Sequence, residues 1–422
     1  MGKESFYSGL PEPSGYDIMK KQCRKRRLNM AERNLDFDTV IDRKNTNSLK
    51  YDLAEKRGKP KDILPLWVAD MDFQISSYIQ DALIRQAEHG IYGYSEPGES
   101  YFEAVSSWLG KRHGWDVKPE WMIKTPGVVY ALAMAVRAFT NVGEGVLIQQ
   151  PVYYPFSGVI LDNKRKVINN PLVLTEDGSY EMDYKDFEEK VVKENVRLFF
   201  LCNPHNPVGR VWSRQELETI GDICLKHHVI VVSDEIHSDF VWKGKHQVFA
   251  DLKEEYRDIT VTCTAPSKTF NIAGLQVSNI FIANEGLRHL FQKQIDASGY
   301  SELNSSGIAA CEAAYRYGEE WYQAVSEYIR SNISYIREYL KENIPEVKLR
   351  VPEGTYLVWL DFRELGLSEN DLEDLIVHKA GLWLDQGTMF GDEGQGFQRV
   401  NAACPRSTLE TALKKLEKAV HG

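Results

Sequence analysis

Between residues 80 and 300 the apolar positions fall into short, nearly unbroken runs. VLIQQP (146–151), VRLFFLCNP (196–204), VIVVSDE (229–235), ITVTCTAPS (259–267) and VSNIFIAN (277–284) have no polar face. A strand of that kind is buried on both sides, as in a parallel sheet covered by helices. Between two of them, SRQELETIGDICLKHH (213–228) has apolar residues at helical spacing and a serine placed to cap its start. Strands alternating with helices predict an α/β fold around a mostly parallel sheet.

The pattern changes after residue 300. Two long helical stretches, 303–317 and 319–343, precede VKLRVPEGTYLVWLDF (347–362), which reads as two strands around the PEG turn. A helix at 368–380, a strand at 397–404 and a helix at 406–420 complete a smaller α+β domain. The expected boundaries are 76–310 for the large domain and 311–422 for the small one, with 31–75 joining the small domain. Residues 1–30 are polar and close on the basic run KKQCRKRRLN. They read as a poorly ordered extension, ahead of a nucleic-acid arm or a targeting peptide, and Met30 is a plausible alternative start.

Composition narrows the function. With 422 residues, 43% of them hydrophobic, the chain can build two sizeable cores. A net charge of -10 argues against a nucleic-acid backbone as the partner. No run of apolar residues is long enough to span a bilayer, and no apolar signal core opens the chain, so a cytoplasmic protein off the membrane is expected. Cys23, Cys202, Cys224, Cys263, Cys311 and Cys404 lack metal spacing, so no metal site is expected and the thiols read as buried and reduced.

In sheets of this class the functional groups gather at the carboxyl ends of the strands. Those ends carry QPVYYPF, NPHNPVG, DEIH and SK, and so present Tyr153, Asn206, Asp234, His237 and Lys268. A lysine held away from water is pushed toward the neutral amine, a nucleophile for aldehydes. A buried aspartate can keep a pyridine nitrogen protonated. An amide and an imidazole can bond a phenolic oxygen, and a tyrosine ring can stack on a flat heterocycle. TPGVVYALAMAVRAF (125–139) opens a helix whose first amides, at Val128 and Val129, can bind a phosphate. Together these groups describe a pocket for pyridoxal phosphate (PLP).

The ordered set LPLWVADMDF (64–73), HGIYGYS (89–95), TPGVVYAL (125–132), NPHNPVGRVW (203–212), SDEIHSDF (233–240), APSKTFNIAGLQ (265–276) and RVNAACPRS (399–407) resembles the fold-type I PLP enzymes of the aminotransferase class I/II superfamily. Within it the chain looks like the MalY/PatB branch of cystathionine β-lyase-type C–S lyases. The resemblance implies a PLP-dependent transferase-like fold, with a seven-stranded, mostly parallel sheet in the large domain. It also implies that Lys268 bonds the cofactor and that Asp234 partners the pyridine nitrogen. Asn206 would bond the ring hydroxyl, with His237 nearby where many relatives have tyrosine, and Tyr153 would stack on the ring. Arg399 would pair with the substrate α-carboxylate. Tyr94 would reach the neighbouring subunit's site, making a homodimer with shared active sites.

The chain departs from the superfamily at two phosphate positions. Ala265 and Gln276 stand where many aminotransferases have serine and arginine. The phosphate is then expected to lean on the amides near Val128 and on hydroxyls such as Ser267 or Thr264. Tyr154 rivals Tyr153 for stacking, Tyr130 is a candidate for the substrate pocket, and Arg406 is open between substrate and structure. Asp70 and Asp72 are expected to cap the helix that begins near Ser76. The implied reaction is α,β-elimination from L-cystathionine or a related S-substituted cysteine to a thiol, pyruvate and ammonia. An aminotransferase is the alternative, because the first half of the chemistry and nearly all these residues are common to both. A regulatory role through protein binding is a third reading.

Overall fold

A computed structural model describes residues 35–422, so the expectations for residues 1–30, Cys23 and Met30 included, lie outside the described residues. The main sheet has seven strands: β1 Met122–Thr125, β2 Gly145–Ile148, β3 Lys166–Asn169, β4 Leu198–Cys202, β5 Ile230–Asp234, β6 Thr260–Thr264 and β7 Ser278–Phe281. Their spatial order is β1-β7-β6-β5-β4-β2-β3. Strands β2 to β6 run parallel, and β7 is antiparallel to both its neighbours. The fold is the α/β class that the apolar runs imply. Strands β1 and β3 escape that pattern because they are edges: β1 buries alternate residues, and β3 is only partly covered.

Every residue of β2, β4, β6 and β7 is buried. Side chains of β4 alternate between two cores, Leu198, Phe200 and Cys202 in one and Phe199 and Leu201 in the other. Helix 128–139 packs in the first core, and helix 214–226 in the second. The latter helix starts in a reciprocal cap, Ser213 with Glu216, which satisfies two end amides at once.

A second sheet is built from β8 Lys348–Leu349, β9 Leu357–Asp361, β10 Asp385–Gln386 and β11 Phe397–Asn401, all antiparallel in the order β8-β9-β11-β10. Leu64–Pro65 pairs in parallel with Leu382–Trp383. The loop after β4 meets the PEG turn at Gly209, whose φ is 73° and whose added Cβ would lie 2.5 Å from Pro352 Cβ. Glycine there lets the Gly209 carbonyl take the amides of Glu353 and Gly354 at 2.8 and 3.0 Å. The five described cysteines are free and buried. No helix among the described residues is long and apolar enough to cross a membrane.

Candidate active site

A cavity of about 190 Å³ opens where β4, β5 and β6 end. The loop after β4 supplies Asn206, β5 ends on Asp234 with His237 just beyond, and the short helix after β6 carries Ser267 and Lys268. Tyr153 follows β2, and Val128 and Val129 open helix 128–139. All of these sequence-predicted cofactor residues line the cavity. No side chain caps helix 128–139, so its first amides face the cavity free to bind an anion.

Burial sets the charges here. It pushes the Asp234 carboxyl up to about 7, against a 3.2 Å hydrogen bond from the Ile236 amide and the nearby Lys268. It brings the Lys268 amine down to about 8, with Arg399 adding to the fall and Asp70 and Asp234 opposing it. His237 is driven well below the usual imidazole range by burial and by the positive Lys268 and Arg399. His237 Nδ1 is buried and has no hydrogen-bond partner among the described residues.

Arg399 lies on β11 directly opposite Asp385 on β10, and the two form a buried ion pair. The guanidinium also donates to Asn206 Oδ1 at 2.9 Å and to the Trp67 carbonyl at 3.0 Å. That carbonyl belongs to a strap without regular structure, residues 66–73. Asn401 holds the strap from β11: its amide donates to Leu66 O, and its Nδ2 donates to Val68 O and Asp70 O, each at 2.6 Å. Asn271, in the turn after Lys268, holds the strap from the other side through Met71 N, Met71 O and Phe73 O. Between these clamps the Ala69 carbonyl accepts Lys268 Nζ at 2.7 Å.

Several expectations are corrected. Asp70 and Asp72 do not cap the next helix, because Ser76 does so itself. Asp70 instead forks onto Arg43, and Asp72 takes Arg43 and the fully buried Lys50 at 2.7 Å each. A buried ammonium needs such a partner more than a helix end does. Thr264 is not a cavity residue, because its hydroxyl donates to the Asn279 carbonyl inside the sheet. Tyr130 turns away to bond Ser298. Tyr154 packs on Phe390, leaving Tyr153 as the ring in the cavity. Arg406 bonds Asn332 and Ser331 and covers the Tyr335 ring, a structural place. Tyr94, expected at a neighbouring subunit's site and not at this one, does not line this chain's cavity and is 98% exposed.

The structure also adds residues. Gln276, first noted only as a departure, lines the cavity in a left-handed conformation at φ 47°. Asp385 and Tyr356 sit in apolar strand contexts that gave no sign of a site, and Ala69 contributes only backbone, which no residue type reveals.

The donor set fits PLP. An uncapped helix start suits its phosphate, and Asp234, which receives only a backbone amide, suits its ring nitrogen. The imidazole of His237, whose Nδ1 has no hydrogen-bond partner among the described residues, and the amide of Asn206 suit its phenolic oxygen. A family profile described as aminotransferase class I and II matches residues 61–416. Cystathionine beta-lyase PatB of Bacillus subtilis (strain 168) is 44% identical over 387 residues, spanning 92% of this chain and 100% of that protein. The structure of a PLP-bound putative aminotransferase from Clostridium difficile 630 superposes with a TM-score of 0.89 at 46% identity, covering 91% of this chain and 99% of that one. Cystalysin from Treponema denticola, whose structure contains PLP, superposes at 0.88 with 41% identity, covering 92% and 98%.

Proposed function

We propose that this chain, which belongs to the aminotransferase class I and II family, is a PLP-dependent carbon–sulfur lyase that cleaves L-cystathionine or related S-substituted cysteines. The observation that carries this reading is the 44% identity to a cystathionine beta-lyase along the whole of that protein.

Bound at this site, PLP supplies an aldehyde that captures amines and a ring that accepts the electrons of a Cα carbanion. The chain's own residues do the rest. With PLP bound, Lys268 would hold its aldehyde, and the lysine amine, once freed by substrate, would be placed to take the Cα proton. Asp234 would keep the ring nitrogen protonated, and Asn206 and His237 would hold the phenolic oxygen. Tyr153 would stack on the ring, and the amides of Val128 and Val129 with the Ser267 hydroxyl would hold the phosphate. Arg399, oriented by Asn206 and Asp385, turns the substrate by its α-carboxylate. Lys268, carrying the proton taken from Cα, would then return it to the sulfur as the Cβ–S bond breaks, so that a thiol leaves and water converts the three-carbon remainder to pyruvate and ammonia.

The test is to incubate the holoenzyme with L-cystathionine and no oxo acid, and to measure thiol and pyruvate. Equal release of both is expected. Amino transfer only on addition of a 2-oxo acid would replace this reading with an aminotransferase. We further propose a homodimer in which Tyr94 enters the partner's site. Its support is the exposure of Ile91, Tyr92 and Tyr94 in a stretch without regular structure. A monomer by light scattering, at concentrations where the enzyme is active, would refute it.

A further inference from the structure

One backbone oxygen serves two donors beside the cavity. The Ala69 carbonyl receives Lys268 Nζ at 2.7 Å and the Tyr356 hydroxyl at 2.9 Å. Its peptide cannot turn. Asn401 Nδ2 holds the carbonyls on either side of it, and Asn401 Oδ1 in turn accepts the Ala403 amide at 2.8 Å, which fixes the side chain's orientation. Two residues further on, Met71 is fastened by Asn271 from the lysine's own turn.

Tyr356 is 1% exposed and packs edge-on against His237 and Phe240. Burial, aided by Asp70 and opposed by Arg399, keeps its phenol far above the ordinary range, so it remains a donor at every working pH. It does not line the cavity.

An amine that gives one N–H to a fixed acceptor has its lone pair aimed elsewhere. The same acceptor also favours the ammonium form, since a hydrogen bond to the charged donor is the stronger one. A second donor on the same oxygen draws on the same electrons and weakens that pull. The other groups acting on Lys268 are Asp70 and Asp234, which favour its charge, and Arg399, which opposes it; His237 lies beside them.

We propose that Tyr356 is a positioning residue for Lys268: by sharing the Ala69 carbonyl it fixes the direction of the amine and restrains its affinity for a proton. The inference rests on the reading of Lys268 as the cofactor-bonding lysine.

The test uses full-length Tyr356→Phe. With PLP removed, Lys268 is labelled by a small aldehyde and a hydride donor across a pH series, and the modified peptide is quantified by mass. Loss of one shared hydrogen bond should move the labelling midpoint up by about half to one pH unit. In the holoenzyme kcat at neutral pH should fall several-fold with KM little changed, and should recover toward alkaline pH. Fluorotyrosine at position 356, a stronger donor, should move the midpoint down, which a packing role would not do. A midpoint unmoved in both folded variants overturns the inference, and so does a shift of the same sign in both. Lys268→Ala separates the premise: if that variant still bonds PLP covalently, the reading of Lys268 itself has failed.

Discussion

Asp234 closes β5 and Asp239 lies five residues further on, at 4% and 7% exposure, and their carboxyls behave in opposite ways. Asp234 receives a single backbone amide, and burial carries it up to about 7. At Asp239 burial pushes the same way, but the group ends below the usual carboxylate range. His113 at 3.2 Å and Thr269 at 2.6 Å bond it, Arg112 lies nearby, and the Trp108 indole reaches both its oxygens. Burial is equal and donors are not. One aspartate is completed within the chain. The other lines the cavity, where a ligand can complete it.

The largest effect expected from breaking that contrast is at Asp234. Asp234→Asn should lower kcat/KM by about a thousandfold, because a neutral amide cannot hold a pyridinium. The same change should raise the melting temperature of the protein stripped of PLP, since a carboxylate short of donors is gone. A loss of activity below tenfold, or a lower melting temperature, would place Asp234 with the structural carboxylates. Asp239→Asn should do the reverse. It should cost about 3 kcal/mol in urea unfolding, by leaving buried donors unpaired, while the folded holoenzyme keeps kcat within about tenfold. The smallest and most discriminating effect concerns pH. Below about 8 the neutral fraction of Lys268, and with it the rate of PLP capture, should fall as protons are added. Asp234 favours the charged lysine, so Asp234→Asn should move that midpoint to lower pH, and Asp239→Asn should leave it in place. Stopped-flow absorbance on stripped protein reads both.

Much of this was legible in residue order. The central strands show themselves because a strand covered on both faces must be apolar throughout, and the rule that function sits at strand ends then picks out Asn206, Asp234, His237 and Lys268. What the chain conceals has physical causes. Edge strands such as β3 lack the continuous apolar run. Asp70 and Asp72 look like helix caps locally, because their real partners Arg43 and Lys50 lie more than twenty residues back. Tyr356 sits in a run that any core strand would show, and its role depends on a carbonyl nearly three hundred residues earlier in sequence.

The strap over Lys268 also fixes when the site can come into being. Residues 66–73 are made early, yet Asn401, which holds the carbonyls flanking Ala69, follows more than three hundred residues later, and Asn271 lies between. A chain growing from its amino end therefore has both the strap and the lysine long before the clamp that fixes the strap. Stable capture of PLP is then expected only once β11 has been made, and chains stalled before β11 should retain no PLP after gel filtration.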